Sequence, residues 1–385
     1  MPFFLFLFHF PVDSPLVPEG PFEIRTTKKR IVPIGPALRE YLAREEREVR
    51  LPASYARLRG FVAAAPLLNR DGSDTLWETV AYPPHEMEHL TEVLTETYAL
   101  LRGEGRTEMF RHLYVDRIDY CAFGNSQPFR VRIVNRFNES HDYFYVKIAD
   151  ASRVHGLELE HILSPNRMHY LTDEATLVEE HVMGIPGDIF AREWLDTKNY
   201  HPVRLAKEMV KFNARCLVRL LGDMRAYNFV IAVTPDFDTT QIRVRAMDFD
   251  QQSYNGRARF YMPQYFKENN PFVFHCQKHI NIPTALQYRQ EEHSLIHRRA
   301  LASADTLRAL FDTIRREPAA PPEKARQLAT ELADYYRDAG FAKAPNMADL
   351  LVYGLERIHR ENRGLGVSHL GDDRAARILF GPGVE

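Results

Sequence analysis

The chain has 385 residues, 45% of them hydrophobic, enough to bury the cores of two or three domain-sized units, which excludes a disordered or fibrous polymer. Its 50 Lys and Arg nearly balance its 52 Asp and Glu, so no global basic field marks nucleic acid or an anionic membrane as the partner. The three cysteines, Cys121, Cys216 and Cys276, are dispersed and fit neither a disulfide framework nor a four-cysteine zinc site, so a reducing, cytoplasmic location is the simplest expectation.

In chain order, Met1 to Phe10 is rich in Phe and Leu but lacks a basic start and a cleavage site, and it is too short to span a bilayer. A frayed terminus is expected there, and no membrane span elsewhere. From Ile34 to Leu113 the apolar spacing predicts helices: Leu38, Tyr41 and Leu42 share a face, and His89 to Leu101 repeats at three and four residues. Residues 1–113 are accordingly expected to form a helical N-terminal extension. Tyr114 to Ile148 then alternates apolar and polar residues, with turn signals at Gly124-Asn125-Ser126 and Asn138-Glu139-Ser140, which predicts three antiparallel strands.

A helix over Val154 to Leu163 and strands near Met168 to Leu171 and Ala175 to Val182 complete a small β-rich lobe over 114–184, closed by the turn Gly184-Ile185-Pro186-Gly187. Pro202 to Leu221 reads as a long amphipathic helix, and Phe229 to Val233 and Ile242 to Met247 as two strands. From Thr284 the pattern is mostly helical, with Pro318 to Pro322 as a linker, so 185–363 is expected as a larger helical lobe. Residues 364–385, rich in Gly and charge, are expected to be loose. The fold class is therefore α+β, a small β-rich lobe and a larger helical lobe behind a helical extension.

Three segments carry chemistry. In Gly222-Asp223-Met224-Arg225-Ala226-Tyr227-Asn228 an Asp and an Asn flank one loop between a helix and an apolar strand. There a carboxylate can take a nucleophile's proton while an amide oxygen ligates a metal that neutralises phosphate charge. A capping Asp and a turn Asn would give the same spacing. In Ala246-Met247-Asp248-Phe249-Asp250 a strand delivers a carboxylate at its end, a rigid place for a metal ligand; an exposed acidic turn is the alternative. In Tyr143-Phe144-Tyr145-Val146-Lys147-Ile148 a single Lys stands in an apolar strand, where its charge is costly unless it meets an anion or snorkels to solvent. Glu158 and Glu160, on the helix that follows, are both candidate partners, and register does not choose between them.

In this order, Val146-Lys147, a helix Glu, Leu177 to Gly184, Gly222-Asp223 to Asn228 and Asp248-Phe249-Asp250, the chain resembles the protein-kinase-like superfamily over about Tyr120 to Phe266. It looks like an atypical, bacterial-type member: Gly-Asp-x4-Asn and Asp-Phe-Asp are closer to aminoglycoside and other small-molecule phosphotransferases than to typical protein kinases, and the Gly-Ile-Pro-Gly text is similar to theirs. The resemblance implies a two-lobed fold binding ATP and magnesium. It also implies that Lys147 holds the α and β phosphates, Asp223 is the catalytic base, Asn228 and Asp248 ligate magnesium, and the backbone around Glu180 and Val182 meets adenine. The expected activity is transfer of the γ-phosphate to a hydroxyl of a small molecule or a protein; a pseudokinase that senses nucleotide or binds a partner, or an AMP transferase, are the alternatives on the same fold.

The sequence departs from the pattern at Gly124-Asn125-Ser126-Gln127-Pro128, which has one glycine where a glycine-rich phosphate loop would stand. It departs again at Tyr145, where a small residue normally makes room for adenine, at Leu221 in place of His or Tyr, and at Asp250 in place of Gly. His293 and His297 lie four apart without a third metal ligand, and His275, Cys276 and His279 read as core or solvated side chains rather than a metal site.

Overall fold

The computed structural model describes residues 29–69, 71–103, 110, 112–197, 199–237, 239–364 and 372–381. The expectation for Met1 to Phe10 lies outside them. The chain divides into two compact units, one over residues 28–157 and 167–181, the other including 158–166 and 182–385.

The first unit opens with helix α1 (Pro36–Arg44), which starts on a proline and buries Leu38, Tyr41 and Leu42, the predicted face. The one-turn α2 (Tyr55–Leu58) follows, its N-cap Ser54 accepting from the Arg57 N–H. Next come strands β1 (Ala63–Leu68) and β2 (Asp74–Ala81), then α3 (Pro84–Gly103). The hairpin β1–β2 corrects the expectation that the region from Ile34 to Leu113 is a helical extension. Ala63-Ala64-Ala65 does not alternate and gives no strand period, so hydrogen bonding to β2 rather than burial makes it a strand.

The strands expected from alternation are present: β3 (Leu113–Tyr120), β4 (Phe129–Asn135) and β5 (His141–Ile148). They are followed by α4 (Ala151–Leu163), β6 (Tyr170–Asp173) and β7 (Thr176–Glu180). All seven strands form one antiparallel sheet in the order β1-β2-β3-β4-β5-β7-β6. Its core face sets Val131, Ile133, Phe144, Val146 and Val178 against Leu90, Leu94 and Tyr98 of α3. Alternation of period two leaves Arg130, Arg132, Tyr143, Tyr145 and Lys147 on the opposite face. The β6 edge is covered by residues 47–49: Thr172 N–H donates to the Arg47 carbonyl at 2.8 Å and accepts, through its own carbonyl, from the Val49 N–H at 3.0 Å.

In the second unit, β8 (Ile185–Pro186) and α5 (Gly187–Glu193) lead to α6 (Pro202–Arg219), which starts on a proline and buries Leu205, Met209, Phe212 and Cys216 at helical spacing. Strands β9 (Phe229–Asp236) and β10 (Thr239–Ala246) join β8 in a small antiparallel sheet. Helices α7 (Asn270–His279), α8 (Ile282–Ala302), α9 (Ala304–Arg316), α10 (Pro322–Tyr336) and α11 (Met347–Gly364) follow, the gap between α9 and α10 falling on the predicted proline linker. The expected loose tail is corrected in part, because Asp372–Phe380 form α12, which buries Ala376 and Leu379 and packs on α9.

Buried charges of α4, α6 and α8 meet in this unit. Glu160 of α4 is bonded by Arg219 of α6 and accepts from the Ser164 hydroxyl at 2.5 Å, and Arg215 lies 3.3 Å from Glu292 of α8. Burial pushes the Glu160 carboxyl up, but Arg219, Ser164 and Arg215 outweigh it and hold the net shift downward.

Candidate functional site

The loop that carries Asp223 is set by the end of α6. Leu220 takes the left-handed conformation, φ 52°, and turns the chain out of the helix while the Leu221 N–H bonds back to the Cys216 carbonyl at 2.9 Å. The Leu220 carbonyl then accepts from the Ser253 N–H at 2.8 Å, which ties this turn to the segment after β10. Gly222 is required by close approach: a Cβ there would lie 2.5 Å from the Phe260 ring and 3.1 Å from the Gln251 carbonyl. Gly222→Ala is expected to cost about 1–3 kcal/mol, the range for overpacking, read as a lowered denaturation midpoint.

Asp223 is itself left-handed, φ 61°, and its N–H donates to the Phe260 carbonyl at 3.2 Å. Its Oδ1 accepts from Arg225 Nε at 2.9 Å, and Arg225 Nη1 reaches Glu268 at 2.6 Å. Burial pushes the Asp223 carboxyl up, and Asp248 and Glu268 push it further; Arg225 offsets only part, so it rises to about 6. Such a carboxylate changes protonation near neutral pH, as a general base must.

Asn228 ends a short 3-10 turn immediately before β9, and Nδ2 donates to the Asp223 carbonyl at 2.7 Å. With that nitrogen committed, Oδ1 is the atom it can offer a cation. Phe229 pairs with Ala246, and the Met247 N–H donates to the Asn228 carbonyl at 3.1 Å, so the start of β9 and the end of β10 lie side by side. Asp248 follows, its Oδ1 fixed by the Asp250 N–H at 3.0 Å. Asp223, Asn228 and Asp248 are thus brought together within one unit. Among the described residues no group of three or more His, Cys, Asp or Glu is arranged to hold a metal ion. The donors present, one carboxylate and one amide oxygen, fit magnesium, which takes few protein ligands and completes its shell with phosphate and water.

In the first unit Lys147 is buried and donates to Glu179 Oε2 of β7 at 2.7 Å. Tyr145 pairs with Glu179 and Lys147 with Leu177, so Lys147 and Glu179 are diagonal neighbours on one face. Glu179 also accepts from Arg153 of α4, at 2.7 Å from Nη2. Burial pushes the Glu179 carboxyl up, but Arg153 and Lys147 overcome this and hold it at about 2. Of the two expected helix carboxylates, Glu160 is engaged by Arg219 and Glu158 is buried on α4.

Tyr145 stands on the same face, with Lys147 Nζ 5.1 Å from its ring centre and its hydroxyl 3.1 Å from His181 Nδ1. The loop at Gly124 to Pro128 folds onto the end of β5, where the Ser126 carbonyl accepts from the Ile148 N–H at 3.2 Å. The Glu180 N–H donates to the His169 carbonyl at 3.0 Å and its side chain accepts from Arg102 at 2.8 Å, while Val182 is buried just beyond β7.

Sequence reasoning missed Glu179, Arg225 and Glu268. Arg225 lies inside the Asp-x4-Asn motif and Glu179 inside the strand already singled out; Glu268 carried no signal. No protein-family model matches the chain, and no curated protein matches it.

Proposed function

We propose that the protein is an ATP- and magnesium-dependent phosphotransferase that moves the γ-phosphate to a hydroxyl of a small molecule or protein. The observation that carries this reading is the assembly of Asp223, Asn228 and Asp248 on two tethered loops, with a carboxyl poised near neutrality beside two hard oxygen donors. Bound magnesium would neutralise phosphate charge. Asp223 then accepts the proton of the attacking hydroxyl, and Arg225 orients that carboxylate. Lys147 is assigned to the α and β phosphates, Glu179 and Arg153 holding the face on which it stands. The two-lobed kinase-like architecture belongs to the same proposal, supported by the chain order of strands β3 to β5, helix α4 and strands β6 and β7, the five strands sharing one antiparallel sheet.

Incubation with magnesium and ATP labelled at the α or the γ phosphate tests it. Transfer of γ label that disappears in Asp248→Ala and in Lys147→Ala is the expected result. Transfer of α label identifies an AMP transferase. A second reading, a nucleotide-sensing module that transfers nothing, is favoured by the engagement of Lys147 with Glu179 and would show thermal stabilisation by ATP without label transfer.

A further inference from the structure

The two edges of the seven-stranded sheet are treated differently. The β6 edge is covered by residues 47–49, whereas β1 is the terminal strand on the other side and, among the described residues, no segment pairs with its outer edge. An edge strand presents unpaired N–H and C=O groups to any extended chain that reaches it, and it is ordinarily protected by charged side chains. Here there are none: between Arg59 and Arg70 the sequence reads Gly-Phe-Val-Ala-Ala-Ala-Pro-Leu-Leu-Asn. Five of the six residues of β1 are exposed. Three of the large apolar side chains left in solvent lie on or beside this hairpin, Val62 at 70%, Leu68 at 55% and Leu76 at 54% exposed. Small alanine side chains on both faces of a short strand leave little to obstruct a neighbour.

We infer that β1 pairs antiparallel with β1 of a second copy of this chain, about a two-fold axis near Ala65, joining two sheets edge to edge. Charge selects this occupant and this direction. An antiparallel pair about Ala65 sets Val62 opposite Leu68 of the second copy and carries exposed Arg59 towards its exposed Asp71, whereas a parallel pair sets Arg59 against Arg59 and Asp71 against Asp71. A two-fold pair is closed, and each copy uses in it the outer β1 edge of its seven-stranded sheet. Pro66, tolerated in a sheet at an edge, and the register shift after Leu67 confine the pairing to a few residues, so the pair is weak and reversible. The inference is independent of the phosphotransferase reading.

Sedimentation velocity of the full chain at rising concentration tests it, with a reversible shift from the mass of one chain towards that of two expected. Ala65→Lys and Ala65→Asp each place like charges across the axis and are expected to hold the chain as a monomer, with unchanged circular dichroism and melting temperature because residue 65 is exposed. An equimolar mixture of the two variants is expected to recover the dimer. A wild-type chain that stays monomeric at every concentration, a dimer indifferent to Ala65→Lys, a mixture that stays monomeric, or growth beyond two chains each overturns the inference.

Discussion

On the proposed phosphotransferase reading, replacing Asp223 with Asn is expected to lower the rate of phosphoryl transfer by about 10²–10⁴-fold, the usual contribution of a positioned general base. The wild-type rate should rise with pH along a limb centred near 6, where the Asp223 carboxyl titrates, and the variant should lack that limb. Stability should move the other way. The folded-state value of about 6 lies above the ordinary 3.8, so the folded chain binds the proton more tightly than the unfolded chain. The resulting stabilisation is complete below about pH 4 and is lost as pH rises through 6. At pH 7 Asp223→Asn is therefore expected to be the more stable protein by about 1–3 kcal/mol, since one pKa unit corresponds to ~1.4 kcal/mol and the lost Arg225 bond offsets part of the gain. Urea titrations at pH 5 and pH 7, beside the rate profile, check both halves; a variant as active as wild type removes Asp223 from the chemistry.

The second large effect concerns Glu179, which answers two buried cations, Lys147 and Arg153. Glu179→Ala leaves both without this carboxylate and is expected to cost about 3–5 kcal/mol, the range for breaking a buried pair by removing one partner. The pH dependence follows from the sign of the shift: the carboxyl is held at about 2 against an ordinary 4.5, so its contribution is present above pH 4.5 and lost as pH falls towards 2. Denaturant midpoints measured from pH 7 down to pH 3 should show wild type losing part of its advantage over Glu179→Ala. A constant difference across that range would place the stabilisation in packing instead of charge.

Much of this arrangement was legible beforehand because the informative residues repeat with the period of their element. Val131, Ile133, Phe144 and Val146 alternate, and Leu205, Met209, Phe212 and Cys216 recur at helical spacing, so β4, β5 and α6 could be read from apolar pattern alone. The hairpin β1–β2 could not: Ala63 to Leu68 is exposed on both faces and carries no burial pattern to encode. The loops of the candidate site were legible as motifs, since Asp223 and Asn228 share one loop. The partner of Lys147 was not, because a diagonal contact depends on which residue of β7 faces which residue of β5, and that register is set by the whole sheet. Glu268, forty-five residues beyond Asp223, is bonded to the site through Arg225 and adds its charge to that of Asp223, neither of which the spacing encodes.

The segment Arg47 to Val49 carries a consequence for any shortened version of this protein. It occupies the β6 border of the sheet through two backbone bonds at Thr172. A chain starting after Val49 would leave the β6 border of this sheet uncovered as well as that of β1, so growth by successive addition at both borders, ending in filaments, becomes available.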